Sequence, residues 1–184
     1  SSSTSSDAAP DGPTLDLTHW LGAPRMGQPV TGFLPMKTPI DFELCNAGPD
    51  VDEADEFTVS MFMERQASDG RSVGLVVDLT TPQPGGQKLY DAEEWTRDWD
   101  VDYVALPCAP PLAARSSADA PAAAAWVEPV PSEEAVARFI TTVGRFWAHP
   151  HNQRRHVAVH CVTGFNVAGT MIARFLMRNA SVGP

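Results

Sequence analysis

The segment VAVHCVTGFNVAGTMIARFLM, residues 157–177, constrains this chain more than any other part of its sequence. It begins with a short β-branched run, continues as a glycine-containing loop from Cys161, and then takes on helical spacing from about Gly169. A strand, a loop and a helix in this order put the cysteine at the carboxyl end of a strand, where open α/β sheets bind ligands. The loop amides and the helix N-terminus then converge, which predicts an anion-binding site.

The elements before this segment alternate between strands and helices. A continuous β-branched and leucine-rich run predicts a strand buried on both faces at residues 72–80, and a second, shorter strand is predicted at residues 102–107. Ser132 is the predicted N-cap of a helix that continues to residue 149. Residues 27–39 contain several Pro and Gly and predict an extended segment that wraps a core. This alternation is typical of an α/β fold with a central, mostly parallel sheet flanked by helices.

Length and composition predict one folded domain. At 184 residues and 43% hydrophobic, the chain can bury a single core, expected over residues 14–184. Residues 1–13 are polar and small and predict a disordered tail. An Ala- and Pro-rich stretch at residues 109–131 has no helical periodicity and predicts an inserted loop.

Charge and cysteine content exclude several classes of protein. A net charge of −10 argues against a broad nucleic-acid-binding surface but leaves room for a small basic pocket. Cys45, Cys108 and Cys161 are far apart and odd in number, so they fit neither a disulfide framework nor a zinc site. No metal or other cofactor is expected. No apolar run reaches membrane-spanning length, so no membrane association is expected.

The loop after the strand supplies the candidate site residues. The predicted phosphate-binding residues are Val162, Thr163, Gly164, Phe165, Asn166, Val167, Ala168 and Gly169. The backbone N–H groups of the loop and the helix N-terminus are expected to stabilise the thiolate form of Cys161. His160 is expected behind the cysteine and Asp78 at the end of a buried strand, both supporting the loop. The alternative interpretation is that Cys161 is a small buried hydrophobe and the glycines are ordinary turn residues.

The loop HCVTGFNVAG resembles the HCTHGFNRTG loop of the RNA 5′-triphosphatase domain of plant and animal mRNA-capping enzymes, which are cysteine phosphatases. The resemblance extends to WLGAPRMGQPVTGFLPMKTP at residues 20–39 and to GLVVDLT at residues 74–80. It also includes KLYDAEEW at residues 88–95, which matches an Arg-Phe-Tyr element and the acidic helix that follows it. Protein phosphatases share the cysteine loop but lack the Gly-Gln-Pro-Val segment.

The resemblance implies a metal-independent enzyme that removes the γ-phosphate from the 5′-triphosphate end of nascent RNA. Cys161 would be the nucleophile that forms a phosphocysteine, and Lys37 and Lys88 are possible RNA contacts. Implied partners are the RNA 5′ end, the transcription machinery and a guanylyltransferase domain, and the implied location is the nucleus. The family's domain continues with further helices after the loop helix, so the sequence reads as truncated at its C-terminus.

Two departures from the family loop fall at catalytic positions. Val167 stands where the family has an arginine, and Ala168 where it has a threonine. An arginine would make two parallel hydrogen bonds to the phosphoryl oxygens, which valine cannot replace. Impaired chemistry is therefore expected. The alternatives are an inactive module that binds phosphorylated ends, and a dual-specificity protein phosphatase.

Overall fold

The computed structural model describes residues 17–41, 52–81, 88–108 and 130–180. The predicted tail at residues 1–13 lies outside these ranges, as do Cys45 and residues 109–129 of the predicted insertion.

Within the described ranges, four strands form one sheet in which all neighbours are parallel. In chain order they are β1 (Phe33–Lys37), β2 (Val73–Asp78), β3 (Asp102–Ala105) and β4 (His156–Cys161), and their order across the sheet is β1-β4-β2-β3. The predicted α/β fold with a parallel sheet flanked by helices is confirmed. β4 has a neighbouring strand on each side. Its carboxyl end therefore lies between the carboxyl ends of β1 and β2.

In the part of the chain that the structure describes, five α-helices accompany the sheet. They are α1 (Thr18–Leu21), α2 (Val59–Ser68), α3 (Glu94–Arg97), α4 (Glu133–Ala148) and α5 (Asn166–Ala180). The predicted N-cap is confirmed, since the Ser132 hydroxyl accepts a hydrogen bond of 3.2 Å from the Ala135 amide. Among the described residues, no helix has the length and apolar character needed to cross a bilayer.

Each face of the sheet packs against its own apolar cluster. Trp20, Phe62 and Trp95 belong to the cluster on the side of α1, α2 and α3. On the opposite side, Phe33 packs against Phe175 of α5, with ring centroids 5.2 Å apart. Residues of β4 alternate between the two clusters, and Cys161 falls in the cluster built with α4 and α5.

The extended segment predicted at residues 27–39 contains β1, which the sequence did not distinguish as a strand. β1 is a true strand that pairs with β4 over its whole length. Pro35 obscured this in the sequence, because proline lacks an N–H and is tolerated only on edge strands. β1 is such an edge, and the Pro35 carbonyl on its outer side accepts a 2.9 Å hydrogen bond from the Gly27 amide.

α5 begins three residues earlier than the sequence predicts. Its first residue is Asn166, and the Gly169 amide donates to the Phe165 carbonyl at 2.9 Å. The loop after Cys161 is therefore shorter than predicted, and Val167 and Ala168 lie within the first turn of the helix.

Two glycines that the sequence does not distinguish should respond oppositely to alanine. In β2, a Cβ at Gly74 would lie 2.6 Å from both Arg155 Nε and Phe146 Cζ, whereas at Gly144 in α4 a Cβ meets open space. Gly74→Ala should lower the free energy of unfolding by about 1–3 kcal/mol through overpacking. Gly144→Ala should raise it by about 0.5–1 kcal/mol, because glycine is entropically costly within a helix. Urea unfolding measures both, and a stabilising Gly74→Ala would contradict this packing.

Candidate active site

Cys161 is the last residue of β4 and is almost fully buried. It pairs in register with Lys37, the last residue of β1, so the two strands end together. The thiol therefore sits at the carboxyl edge of the sheet, where the loop that follows must turn sharply to enter α5.

Gly164 makes that turn. Its φ is +78°, a left-handed conformation that residues with a side chain rarely adopt. A Cβ at this position would collide with the carbonyl group of Met36 and would lie 2.6 Å from the Lys37 nitrogen. One residue beyond β1, the Thr38 amide donates to the Val162 carbonyl at 3.2 Å. The loop is thus seated directly on the end of β1, and glycine is the residue that fits there.

The helix after the loop supplies the remaining part of the cradle. α5 has 15 residues and begins at Asn166, so its N-terminal amides and the positive end of its dipole lie at the loop. Val167 is 3% exposed and Ala168 fully buried, and both belong to the apolar cluster beneath α4 and α5. The side chain at the family's arginine position is therefore packed in the core.

The predicted loop residues are brought together but differ in exposure. Val162 and Gly164 are buried, Thr163 and Gly169 are half-buried, and Phe165 and Asn166 are exposed. The Gly169 amide is used within the helix, so it differs from the other predicted phosphate-binding positions.

His160 lies immediately before the cysteine and is fully buried. Its Nε2 is 2.9 Å from the Tyr90 hydroxyl, and its Nδ1 is 3.3 Å from Thr80 Oγ1 and 3.6 Å from Asp78 Oδ1. The Tyr90 hydroxyl also donates to Asp78 Oδ2 at 3.4 Å, and the tautomer of His160 sets the direction of its contacts with Tyr90 and Thr80. Burial lowers the pKa of His160, and the nearby Asp78 carboxylate opposes that shift. The imidazole is neutral and has a partner at each ring nitrogen. These contacts hold His160, and with it the backbone directly before Cys161, in position.

Asp78 closes this network from the end of β2. Its carboxylate accepts 2.7 Å hydrogen bonds from the Tyr103 hydroxyl and the Thr80 amide. Burial, with the Asp78 charge nearby, raises the pKa of both Tyr90 and Tyr103 above the ordinary value, so both phenols stay neutral donors. Tyr90 is buried, and its polar role was not predicted from the sequence. The signal was its place in the Arg-Phe-Tyr-like element.

The two candidate lysines occupy different environments. Lys37 is buried, its Nζ donates to the Trp20 carbonyl at 3.2 Å, and it lies 3.5 Å from the centroid of the Trp20 ring. Burial lowers the pKa of Lys37 to about 8, with Arg25 adding to the shift and Asp55 opposing it. Lys88 is exposed and lines a cavity beside the loop. Of the two, Lys88 is the one that an incoming ligand reaches without rearrangement.

Nearby arginines are committed to other partners. Arg174 of α5 pairs with Glu133 at the start of α4. Arg155 donates to the carbonyls of Val73 and Asp100, at the amino end of the sheet. Neither side chain takes the place of an arginine at position 167.

The segment that contains the loop is cationic despite the acidic composition of the whole chain. Six arginines and no acidic residue follow Glu134 in the sequence. Within the part of the chain that the structure describes, no group of three or more His, Cys, Asp or Glu side chains is arranged to hold a metal ion.

Comparison with known proteins agrees with the resemblance seen in the sequence. The strand, cysteine loop and helix follow one another in the order that the resemblance to the cysteine-phosphatase class implies. The predicted resemblance within that class is confirmed by curated relatives that align with 86% of this chain. No family model matches the chain.

Three of these relatives have informative names. An RNA/RNP complex-1-interacting phosphatase homolog of Caenorhabditis elegans is 26% identical over 161 residues, which are 60% of that protein. The mRNA-capping enzymes of Mus musculus and Danio rerio are 29% and 30% identical over 164 and 160 residues, in each case 22% of the enzyme. The chain thus spans little more than half of the first relative and about a fifth of the capping enzymes.

Among solved structures, a putative phosphatase (DUF442) from Shewanella putrefaciens CN-32 aligns with 92% of this chain and 81% of its own. The TM-score is 0.48 and the sequence identity 15%.

The seat of the loop on β1 can be tested with a second pair of glycines. Gly164→Ala should lower the free energy of unfolding by at least about 1–3 kcal/mol, because it combines a strained φ with a backbone collision. Gly169→Ala, where a Cβ meets nothing within 4 Å, should leave stability unchanged or raise it. Thermal unfolding with two-state analysis compares the variants. Equal stability of the two variants would show that the loop does not rest on β1.

Proposed function

We propose that this chain is an RNA 5′-triphosphatase-type domain that binds the triphosphate end of RNA in the Cys161 loop and hydrolyses it slowly. The observation that carries this proposal is the preserved loop geometry. Cys161 ends an interior strand, Gly164 sits against the backbone of β1, and α5 begins at Asn166. This geometry persists although Val167 and Ala168 have replaced the arginine and threonine of the family loop.

The chemistry follows from this arrangement. The Cys161 thiolate attacks the γ-phosphorus, the bond from that phosphorus to the β–γ bridging oxygen breaks, and RNA with a 5′-diphosphate leaves. Water then attacks the phosphocysteine, releasing inorganic phosphate and restoring the thiol. Phosphate second ionisations lie near about 6, so the diphosphate departs without strong help from a general acid.

The substitution at Val167 limits the rate. In the transition state, charge on the equatorial phosphoryl oxygens would be met by loop amides and the α5 N-terminus, without the bidentate guanidinium. Loss of one such donor costs about 3–4 kcal/mol, or roughly 10²–10³-fold in rate. Ala168 removes a hydroxyl that would donate to the sulfur as it leaves the phosphocysteine.

The relatives support RNA as the substrate class. One is named for its interaction with an RNA/RNP complex and two are named mRNA-capping enzymes. We place the domain in mRNA capping in the nucleus, with the transcription machinery and a guanylyltransferase domain as partners.

A second candidate function is a module that binds phosphorylated ends without turnover. Its support is the burial of Val167, which removes a cation while the loop amides remain. Affinity would then fall less than the rate, because amide donors hold the ground state as well as the transition state.

Restoring the missing side chains separates slow catalysis from pure binding. Val167→Arg with Ala168→Thr should raise phosphate release from triphosphate-ended RNA at least about 10²-fold. The matched control is Val167→Lys with Ala168→Thr, which restores the positive charge without the planar guanidinium. This variant should recover much less of the rate of phosphate release. A malachite-green assay measures the release, with Cys161→Ser as the background.

Three results would overturn parts of this proposal. A rate for the natural chain within tenfold of an arginine-bearing relative would remove the claim of impairment. A restored variant that folds, as judged by its unfolding transition, and still matches Cys161→Ser would favour the binding module. Faster turnover of a phosphotyrosine peptide than of RNA would make the chain a protein phosphatase.

A further inference from the structure

A cavity of about 340 Å³ opens at the carboxyl ends of β2 and β3, beside the Cys161 loop. Its polar side is formed by Thr38, Asp78, Tyr90 and Tyr103, and Ala105 and Pro107 contribute an apolar wall. The described residues that line it all come from outside the Cys161 loop. It is therefore a separate compartment, and nothing in the chemistry of phosphoryl transfer requires it.

The cavity and the loop share structural members. Thr38 lines the cavity, and its amide donates to the Val162 carbonyl in the loop. Thr80, also in the lining, contacts His160, the residue before Cys161. A ligand whose terminal phosphate occupies the loop would therefore extend past residues that also line the cavity.

The charges of the lining disfavour a phosphate inside the cavity. Asp78, Asp91 and Glu93 face one cation, Lys88, although the Asp91 carboxylate is also paired with Arg97 at 2.8 Å. Like charges repel in such a partly enclosed space, so a further phosphate would be disfavoured there. A neutral group with several hydrogen-bond donors fits better. Amino and hydroxyl donors suit the Asp78 carboxylate, and the rings of Tyr90 and Tyr103 offer apolar surface.

We propose that this cavity binds the nucleoside at the 5′ end of the RNA while the Cys161 loop holds its γ-phosphate. The inference rests on the proposed function and adds to it a subsite that recognises the nucleoside. The cavity volume lies at the small end of the range for ligand pockets, about 300–1,000 Å³, which suits one nucleoside. The site would thus recognise the nucleoside as well as the phosphate, and would bind RNA ends in preference to inorganic polyphosphate.

The test compares two probes on the Cys161→Ser chain by calorimetry, namely triphosphate-ended RNA and inorganic triphosphate, which has no nucleoside. Ala105 is exposed at the end of the edge strand β3, so Ala105→Leu fills the cavity at little cost to the fold. This variant should weaken RNA binding at least about tenfold, the scale of one base on an aromatic ring. Inorganic triphosphate should bind as before. The matched control is Ala67→Leu on the exposed face of α2, which should change neither affinity.

A second measurement uses no cavity variant. Free guanosine, adenosine, uridine or cytidine at millimolar concentration should compete with triphosphate-ended RNA and leave inorganic triphosphate bound. If both probes bind equally and Ala105→Leu changes neither affinity, the nucleoside subsite is wrong while the phosphate cradle stands. If neither probe binds to any variant, the proposed function and the subsite both fail.

Discussion

The contact between Gly164 and the end of β1 determines the shape of the site. A backbone without a side chain lets the loop rest on Met36 and Lys37, and this seat fixes where the loop amides lie relative to Cys161. β1 provides the seat only because it is a strand in register with β4. The edge strand that proline obscured in the sequence is therefore also the platform of the candidate active site.

Behind the loop, a buried polar network takes the place of ordinary core packing. His160, Tyr90, Asp78, Tyr103 and Thr80 satisfy one another, so that few polar atoms are left unpaired at the edge of a closely packed sheet. Such a network is rigid when complete and costly when one member is removed. It holds the cysteine end of β4 in position and also forms one side of the neighbouring cavity. One set of side chains thus supports the proposed phosphate cradle and the proposed nucleoside subsite.

Much of the fold, and part of the candidate site, could be predicted from the sequence. The strands β2 and β4 are continuous apolar runs and α4 has a clear N-cap, so the α/β fold was predictable. The loss of the arginine at position 167 was equally visible. Other features depend on tertiary contacts that leave no local trace. Lys37 is buried because Trp20 covers it, and α5 starts at Asn166 because the loop turns early at Gly164. Val167 becomes a core residue through packing against elements distant in sequence.

The proposed function depends on an anion cradle that remains organised without an arginine at position 167. Competition between two RNA oligomers of identical sequence, one triphosphate-ended and one hydroxyl-ended, tests this on the Cys161→Ser chain at physiological ionic strength. Backbone donors to a charged phosphate should favour the triphosphate end at least about tenfold, since a hydrogen bond to a charged group contributes about 1.5–3 kcal/mol. Equal affinity of the two oligomers would contradict the claim, because the loop would then have the form of a phosphate cradle without its function.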